Sequence, residues 1–188
     1  MWFKIMPYIS IRAAKYSDIS GIVNVRLEAL TDEEVKGFTS PEPSVFTSRI
    51  ELRNNWLKNG QLKDGFQVYV VEDAEKVAGF IVFKIGTDSC YIDNIVVVQE
   101  KQGRGRGRAL VEHVEEMART QGCRVVITDT TENVEGVPWK SYGFWIKMGY
   151  RDTGERLSTN YDYKEIPLIK LINTRPYASA QTRKSMRK

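Results

Sequence analysis

The feature that most constrains this chain is a glycine-rich turn between a hydrophobic segment and an amphipathic one. The segment Tyr91 to Val98 is rich in β-branched residues and predicts a buried strand. The segment from about Arg106 to Gln121 has apolar residues at helical spacing and stops before Gly122, which predicts a helix. Three glycines occupy every second position between the strand and the helix start: Gly103, Gly105 and Gly107. A strand, a turn of exposed backbone and a helix are therefore expected in direct succession.

Such a turn suits a phosphate or pyrophosphate group. Glycine adopts positive φ and lets a ligand approach the backbone closely. The start of a helix offers unpaired N–H groups and the positive end of a dipole. Two common phosphate motifs do not fit, because GxxxxGKS/T is absent and the glycine spacing is GxGxG rather than GxGxxG. Nucleotide hydrolysis and dinucleotide binding are thus disfavoured. Three arginines add positive charge around the same turn: Arg104, Arg106 and Arg108.

The rest of the chain alternates predicted helices and strands, which favours a mixed α/β sheet covered by helices. A proline is expected at the first position of the last helix, which would run from Pro138 to Gly149. The other predicted helices run from a cap at Ser17 or Asp18 to Leu30, and from about Thr47 to Lys58. The other predicted strands are Tyr8 to Ala13, Gln67 to Glu72, Val77 to Ile85, Arg124 to Thr128, Tyr150 to Glu155 and Tyr161 to Leu171.

Length and composition indicate one cytoplasmic domain. The chain has 188 residues, 41% of them hydrophobic, and no run long enough for a membrane helix. The two cysteines form no CxxC pair, which suits a reducing cytosol, and with one histidine they cannot assemble a structural zinc site. We therefore predict one domain over residues 1–172, no metal and no membrane partner. The net charge of +4 comes from residues 173–188, which carry five basic residues and no acid, so we expect a flexible basic tail there.

Two motifs resemble a known family of enzymes. The run Gln102 to Gly107 matches the Q/R-x-x-G-x-G/A signature of the GNAT (GCN5-related) N-acetyltransferases, directly after a strand that corresponds to their fourth. The run Phe144 to Tyr150 resembles the family's F-Y-x-K-x-G-F segment, and Ile11 to Ala13 corresponds to the family's first strand. The resemblance covers nearly the whole predicted domain. It implies the GNAT acyltransferase fold, a mixed α/β sheet whose fourth and fifth strands splay apart.

The resemblance also implies acetyl-CoA, or another acyl-CoA, as co-substrate. In the family the turn's backbone amides bind the pyrophosphate and the pantetheine arm lies between the splayed strands. Here those strands would be Tyr91 to Val98 and Arg124 to Thr128, with the backbone groups of Val96 and Val98 pairing with the arm. The residues that this comparison assigns to acetyl-CoA are Val96, Val97, Val98, Gln102, Gly103, Arg104, Gly105, Arg106, Gly107 and Arg108.

Transfer of an acetyl group to an amine needs a base, an oxyanion donor and a route for the leaving thiolate. Asp93 is the candidate base, because some family members carry a carboxylate on this strand. An N–H at Val96 or a neighbouring residue is the candidate oxyanion donor. The family's tyrosine acid is replaced here by Trp145, so Tyr142 or a water is the candidate proton donor. Asp93 could equally be an ordinary strand carboxylate, with Asn94 on the opposite face.

The acceptor is expected to be a primary amine, either a small polyamine-like molecule or an amine of a protein. The segment between the first two helices carries Asp32, Glu33, Glu34 and Glu42, which would attract a cationic amine. Two alternatives remain open: an acyl-CoA sensor without catalysis, and a nucleic-acid-binding protein that uses the arginine-rich turn and the tail. The net charge of −1 outside the tail disfavours nucleic acid. The sequence leaves open whether the chain forms a homodimer.

Overall fold

The computed structural model describes residues 9–30, 45–74 and 76–172, and its elements alternate along the chain. The helices are α1 (Ile19–Leu30), α2 (Arg49–Asn55), α3 (Arg106–Thr120) and α4 (Ser141–Lys147). The strands are β1 (Ser10–Ala13), β2 (Gln67–Asp73), β3 (Lys76–Ile85), β4 (Ser89–Val97), β5 (Val125–Asn133), β6 (Arg151–Asp152), β7 (Leu157–Ser158) and β8 (Tyr163–Leu171).

All eight strands belong to one mixed sheet. Their order is β1-β2-β3-β4-β5-β8-β6, with β7 pairing to β8 as well. Strands β4 and β5 run parallel, whereas the other neighbouring pairs run antiparallel. A parallel pair needs a crossover connection, and α3 provides it. The predicted mixed α/β sheet covered by helices is therefore confirmed.

Each face of the sheet carries its own hydrophobic core. The face covered by α3 and α4 includes Ile92, Leu110 and Trp145. The opposite face, covered by α1 and α2, includes Ile22, Leu52 and Val96. Burial on both faces explains why the central strands read as nearly continuous apolar runs. No helix among the described ranges is both long enough and apolar enough to cross a bilayer.

A bulge in β4 changes which side chains share a face. Asn94 lies opposite Val82 and Ile92 lies opposite Phe83, so Asp93 is an extra residue without a partner on β3. Strict alternation would place Ile92 and Val96 on one face, yet they belong to different cores. Asp93 and Asn94 therefore both lie toward the α1 face. The prediction that they point to opposite faces is wrong, because the bulge interrupts the alternation.

Several elements differ in their bounds from the prediction, most of them near the C-terminal strands. Strand β5 continues beyond Thr128 to Asn133, because pairing with β8 extends to Tyr163. The last helix begins at Ser141 rather than at Pro138, which instead forms a β-bridge with Glu132. The predicted strand after Gly149 shrinks to the two residues of β6. The second helix ends early because Trp56 adopts an extended conformation and bridges to Leu62.

Candidate active site

The glycine-rich turn opens toward solvent where α3 begins. Gly103 and Gly105 have φ values of 67° and 80°, which is the left-handed region that favours glycine. A Cβ at either position would meet no atom within 4 Å, so the surface beside both residues is open. Gly107 has no positive φ, and a Cβ there would be in ordinary contact with the ring of Phe144 at 3.5 Å and with Ile95 at 3.9 Å. Two of the three glycines are therefore required by the conformation of the turn.

The backbone amides of this turn are free to bind a ligand. The first bond of the helix runs from the N–H of Ala109 to the carbonyl oxygen of Gly105, over 2.9 Å. No side chain caps Gly105, the N-cap residue of α3. Within the described ranges, the N–H groups of residues 103–108 have no backbone acceptor. They form a set of unpaired donors at the positive end of a 15-residue helix, which suits an anionic diphosphate.

The three arginines of the turn differ in their availability. Arg106 is only 4% exposed, and its Nη2 lies 2.8 Å from the carboxylate of Asp73. The Asp73 carboxylate also pairs with Lys101, and hydrogen bonds from these cations lower the pKa of Asp73. The guanidinium of Arg106 therefore anchors the turn to β2, and its assignment to acetyl-CoA stays a prediction. Arg104 and Arg108 are exposed, and Arg108 lies 4.0 Å from Glu112.

The parallel strands β4 and β5 separate partway along their length. Their pairing runs from Ser89 and Val125 as far as Ile92 and Thr128. Beyond that point β4 pairs with β3 and β5 pairs with β8, so residues 93–97 and 129–133 line the two sides of a gap. The sheet is thus splayed between its fourth and fifth strands, as the family resemblance implied. The turn lies at the open end of this gap.

The backbone groups that face the gap are not the ones that the sequence suggested. The N–H of Val98 donates to the carbonyl of Ala78 on β3, over 2.9 Å. In an antiparallel pair the residues that bond across alternate with those that do not, so Val96 also bonds toward β3. The prediction for Val96 and Val98 is therefore corrected. Ile95 and Val97 point their backbone groups into the gap, and the Gln102 side chain donates to the Val97 carbonyl over 2.9 Å.

Asp93 lies at the point where the two strands part. Solvent reaches its side chain, yet surrounding protein removes much of its hydration, and this desolvation raises its pKa. The negative charges of Asp129 and Asp64 raise the pKa of Asp93 further. Arg26 on α1 opposes this rise, and its own Nε is buried without a hydrogen-bond partner in the described structure. An elevated pKa suits a carboxylate that accepts a proton near neutral pH.

The structure adds a second carboxylate that sequence reasoning missed. Asp129 is the first residue of β5 beyond the last paired position, as Asp93 is on β4. Its carboxylate accepts a hydrogen bond from the hydroxyl of Tyr91, over 2.5 Å. Burial raises the pKa of Asp129, and the hydrogen bond from Tyr91 offsets only part of that rise. A strand prediction that continued past Thr128 would have placed Asp129 on the same face as Tyr91.

Neither Trp145 nor the candidate proton donor Tyr142, both on α4, is placed to give up a proton readily. Trp145 is 2% exposed and packs edge-on against Phe144 and Tyr150, so it is a core residue. The hydroxyl of Tyr142 donates to Asp152 over 3.1 Å. Burial and then this bond raise the pKa of Tyr142, which makes it a weaker acid. The role of Tyr142 as proton donor stays a prediction that this geometry does not favour.

Replacing Tyr142 with phenylalanine gives a direct test of that role. We expect kcat for acetyl transfer to fall less than about tenfold, because its hydroxyl proton is directed at Asp152 and a thiolate leaves without strong assistance. Steady-state thiol release at saturating acetyl-CoA measures this effect. A loss of about 100-fold, with acetyl-CoA affinity unchanged, would instead establish Tyr142 as the acid.

Two predicted features lie outside the described residues. They are the acidic segment with Asp32, Glu33, Glu34 and Glu42, and the basic tail over residues 173–188. The carboxylates that the structure does place near the gap come from other elements. Asp129 and Glu165 lie on β5 and β8, and Asp64 lies in the connection before β2.

Comparison with known proteins agrees with this geometry. The model of the acetyltransferase (GNAT) family matches residues 27–150. The chain therefore belongs to the GNAT family of acetyltransferases. A curated relative, glucosamine 6-phosphate N-acetyltransferase from Trypanosoma brucei brucei, is 36% identical over 61 residues. That match covers 32% of this chain and 37% of the relative.

Solved structures share the fold along nearly their whole length. The ribosomal-protein-S18-alanine N-acetyltransferase from Escherichia coli matches with a TM-score of 0.63 at 14% identity, covering 91% of this chain and 98% of that one. The PaiA N-acetyltransferase from Thermoplasma acidophilum, solved in complex with coenzyme A, matches with a TM-score of 0.65 at 16% identity. Its match covers 88% of this chain and 99% of that one. These likenesses confirm the predicted GNAT fold.

Proposed function

We propose that this protein transfers an acetyl group from acetyl-CoA to a primary amine by direct attack. The observation that carries the proposal is an uncapped turn of free amides that opens onto the gap between β4 and β5, with Asp93 where the strands part. Family membership supports acetyl transfer in general. The chain covers only part of its curated relative, so the activity of the whole protein is part of the proposal.

Acetyl-CoA fits the residues that are present. Its diphosphate would accept hydrogen bonds from the amides of residues 103–108, with Arg104 and Arg108 adding charge. Its pantetheine arm would lie in the gap and pair with the backbone of Ile95 and Val97. The open surface beside Gly103 and Gly105 is the space that the diphosphate requires.

The proposed reaction depends on the Asp93 carboxylate, which lies where β4 and β5 part. The Asp93 carboxylate takes a proton from the acceptor ammonium, and the freed nitrogen lone pair attacks the thioester carbonyl carbon. A backbone N–H of Ile95 or Val97 stabilises the oxyanion. Collapse breaks the carbon–sulfur bond, the thiolate takes one proton, and the second proton lost by nitrogen passes to solvent. The products are an acetylated amine and the free thiol of CoA.

We propose a cationic amine as acceptor. The described carboxylates around the gap are Asp64, Asp93, Asp129, Glu132 and Glu165. Arg156 pairs with Glu132, and Arg26 opposes the negative charge at Asp93, so the other carboxylates outnumber the cations. The combined field of these groups favours a positively charged substrate. The names of the two relatives with a stated acceptor specify an amino sugar phosphate and a protein alanine, which supports an amine acceptor. The predicted cytosolic setting is retained in the proposal, since Cys90 and Cys123 are free and buried.

The test is acetyl-CoA-dependent thiol release with a panel of amines. The panel holds a polyamine, a lysine peptide, a peptide with a free N-terminal alanine and glucosamine 6-phosphate. We expect release with at least one cationic amine and little with a neutral aromatic amine. Tight acetyl-CoA binding without release from any amine would favour the sensor alternative. Preference for glucosamine 6-phosphate over every purely cationic amine would contradict the cationic acceptor.

A further inference from the structure

Asp129 occupies a special position relative to the proposed base. The last paired residues of β4 and β5 are Ile92 and Thr128, so Asp93 and Asp129 are the next residues on the two strands. Asp93 lies on the α1 face because it alternates with Ile92, and the hydrogen bond from Tyr91 places Asp129 on that same face. Two carboxylates thus flank the point where the strands part.

Titratable groups from several neighbouring elements surround this pair. Asp64 before β2 and Arg26 on α1 act on Asp93, and Glu165 and Tyr163 on β8 face Asp129. Tyr91 donates its hydroxyl proton to Asp129. Of the two carboxylates, Asp129 therefore has the donor that stabilises its charge. Asp93 has no hydrogen-bond partner of this kind among the described side chains.

We propose that Asp129, held by Tyr91, is a positioning residue that keeps Asp93 able to take the proton of the acceptor ammonium. This inference rests on the proposed acetyl transfer and deepens it. When two carboxylates lie close together, the one with a hydrogen-bond donor holds its negative charge and the other binds a proton more tightly. In this role Asp129 acts through Asp93 rather than on the reacting atoms.

The proton inventory stays balanced in this arrangement. Asp93 is a carboxylate when the ammonium binds, and it becomes a carboxylic acid as the nitrogen–hydrogen bond breaks. The Tyr91 proton stays on its hydroxyl and Asp129 stays ionised throughout. After the amide forms, Asp93 gives its proton to the thiolate and the second proton lost by nitrogen passes to solvent, so the site is restored without any other reactant.

The experiment measures kcat/KM for one fixed amine across pH in four proteins: the wild type, Asp129→Asn, Arg26→Gln and Tyr91→Phe. In Asp129→Asn we expect the acidic limb of the pH profile of kcat/KM to move to lower pH by about one unit, because a negative charge beside Asp93 is lost. The maximal rate should fall as well, because Asp93 is then a weaker base. Arg26→Gln should move the limb to higher pH, since a positive charge is lost. Tyr91→Phe should also move the limb to lower pH, but by less than Asp129→Asn does.

Asp88→Asn is the matched control. It removes one carboxylate from the turn before β4, at the paired end of the strands, where Asp88 faces the exposed Arg124 at 3.6 Å. Its acidic limb should match that of the wild type. A fall in rate for Asp129→Asn with an unmoved limb would show a merely structural role and overturn the inference. An acidic limb that moved to lower pH in Arg26→Gln, as in Asp129→Asn, would overturn the inference as well.

Failure of the inference can be told apart from failure of the proposed function. Calorimetry with acetyl-CoA should give the wild-type affinity for Asp129→Asn, which shows that the variant is folded. If the wild type transfers acetyl groups and Asp129→Asn has an unmoved limb, only the inference fails. If the wild type transfers no acetyl group to any amine of the panel, the proposed function itself fails.

Discussion

Replacing Gly105 with aspartate should weaken acetyl-CoA binding at least about 100-fold. The new carboxylate would stand at the uncapped start of α3, where it would compete for the free amides and repel the diphosphate. Loss of two charge-assisted hydrogen bonds is enough for an effect of this size. Isothermal titration calorimetry measures it directly. Aspartate tolerates the left-handed conformation and caps helices well, so the fold should persist.

The chain contains a matched control at the other end of the same helix. Gly122 also has a left-handed φ, of 89°, and a Cβ there would meet nothing within 4 Å. Gly122→Asp therefore introduces the same side chain with the same backbone strain, away from the turn. We expect its acetyl-CoA affinity to equal that of the wild type. Equal loss in both variants would assign the effect to α3 stability rather than to the diphosphate site.

Asp93→Asn should lower kcat/KM for the amine by about 100-fold to 10,000-fold near neutral pH, without weakening acetyl-CoA binding. Asparagine has nearly the same shape but cannot accept the ammonium proton. The defect should shrink as the pH rises toward the pKa of the amine, because the substrate then loses its proton to solvent. Steady-state thiol release across pH measures both effects.

Asp88→Asn serves again as the control, since it removes a carboxylate that lies outside the gap. It should leave the rate within about twofold of the wild type, as expected for an exposed ion pair of small energy. If Asp93→Asn retained the wild-type rate at every pH, Asp93 would be an ordinary strand carboxylate. The amine would then lose its proton to a different group.

The sequence predicted the turn and its surroundings well because local signals dominate there. Alternating glycines after an apolar strand can be accommodated in few ways, and an amphipathic helix after them is a strong periodic signal. The positive φ of Gly103 and Gly105 and the free start of α3 follow from these signals. The splay between β4 and β5 came from the family resemblance rather than from the residues themselves.

The details of the gap could not be predicted because they depend on register. Nothing in the run Tyr91 to Val98 signals the bulge at Asp93, which arises from the pairing of β4 with β3. The same pairing with β3 decides which backbone groups of β4 face the gap, and it selects those of Val97 rather than those of Val98. Asp129 was missed because the polar end of β5 resembles a loop until β8 pairs with it.

The most direct measurement is a crystal structure of the protein with acetyl-CoA bound. We expect diphosphate oxygens within hydrogen-bond distance of the amides of residues 103–108, and a pantetheine arm between residues 93–97 and 129–133. We also expect the thioester carbonyl near the N–H of Ile95 or Val97, with the Asp93 carboxylate on the side from which the amine approaches. A diphosphate bound away from the turn, or an arm outside the gap, would contradict this expectation.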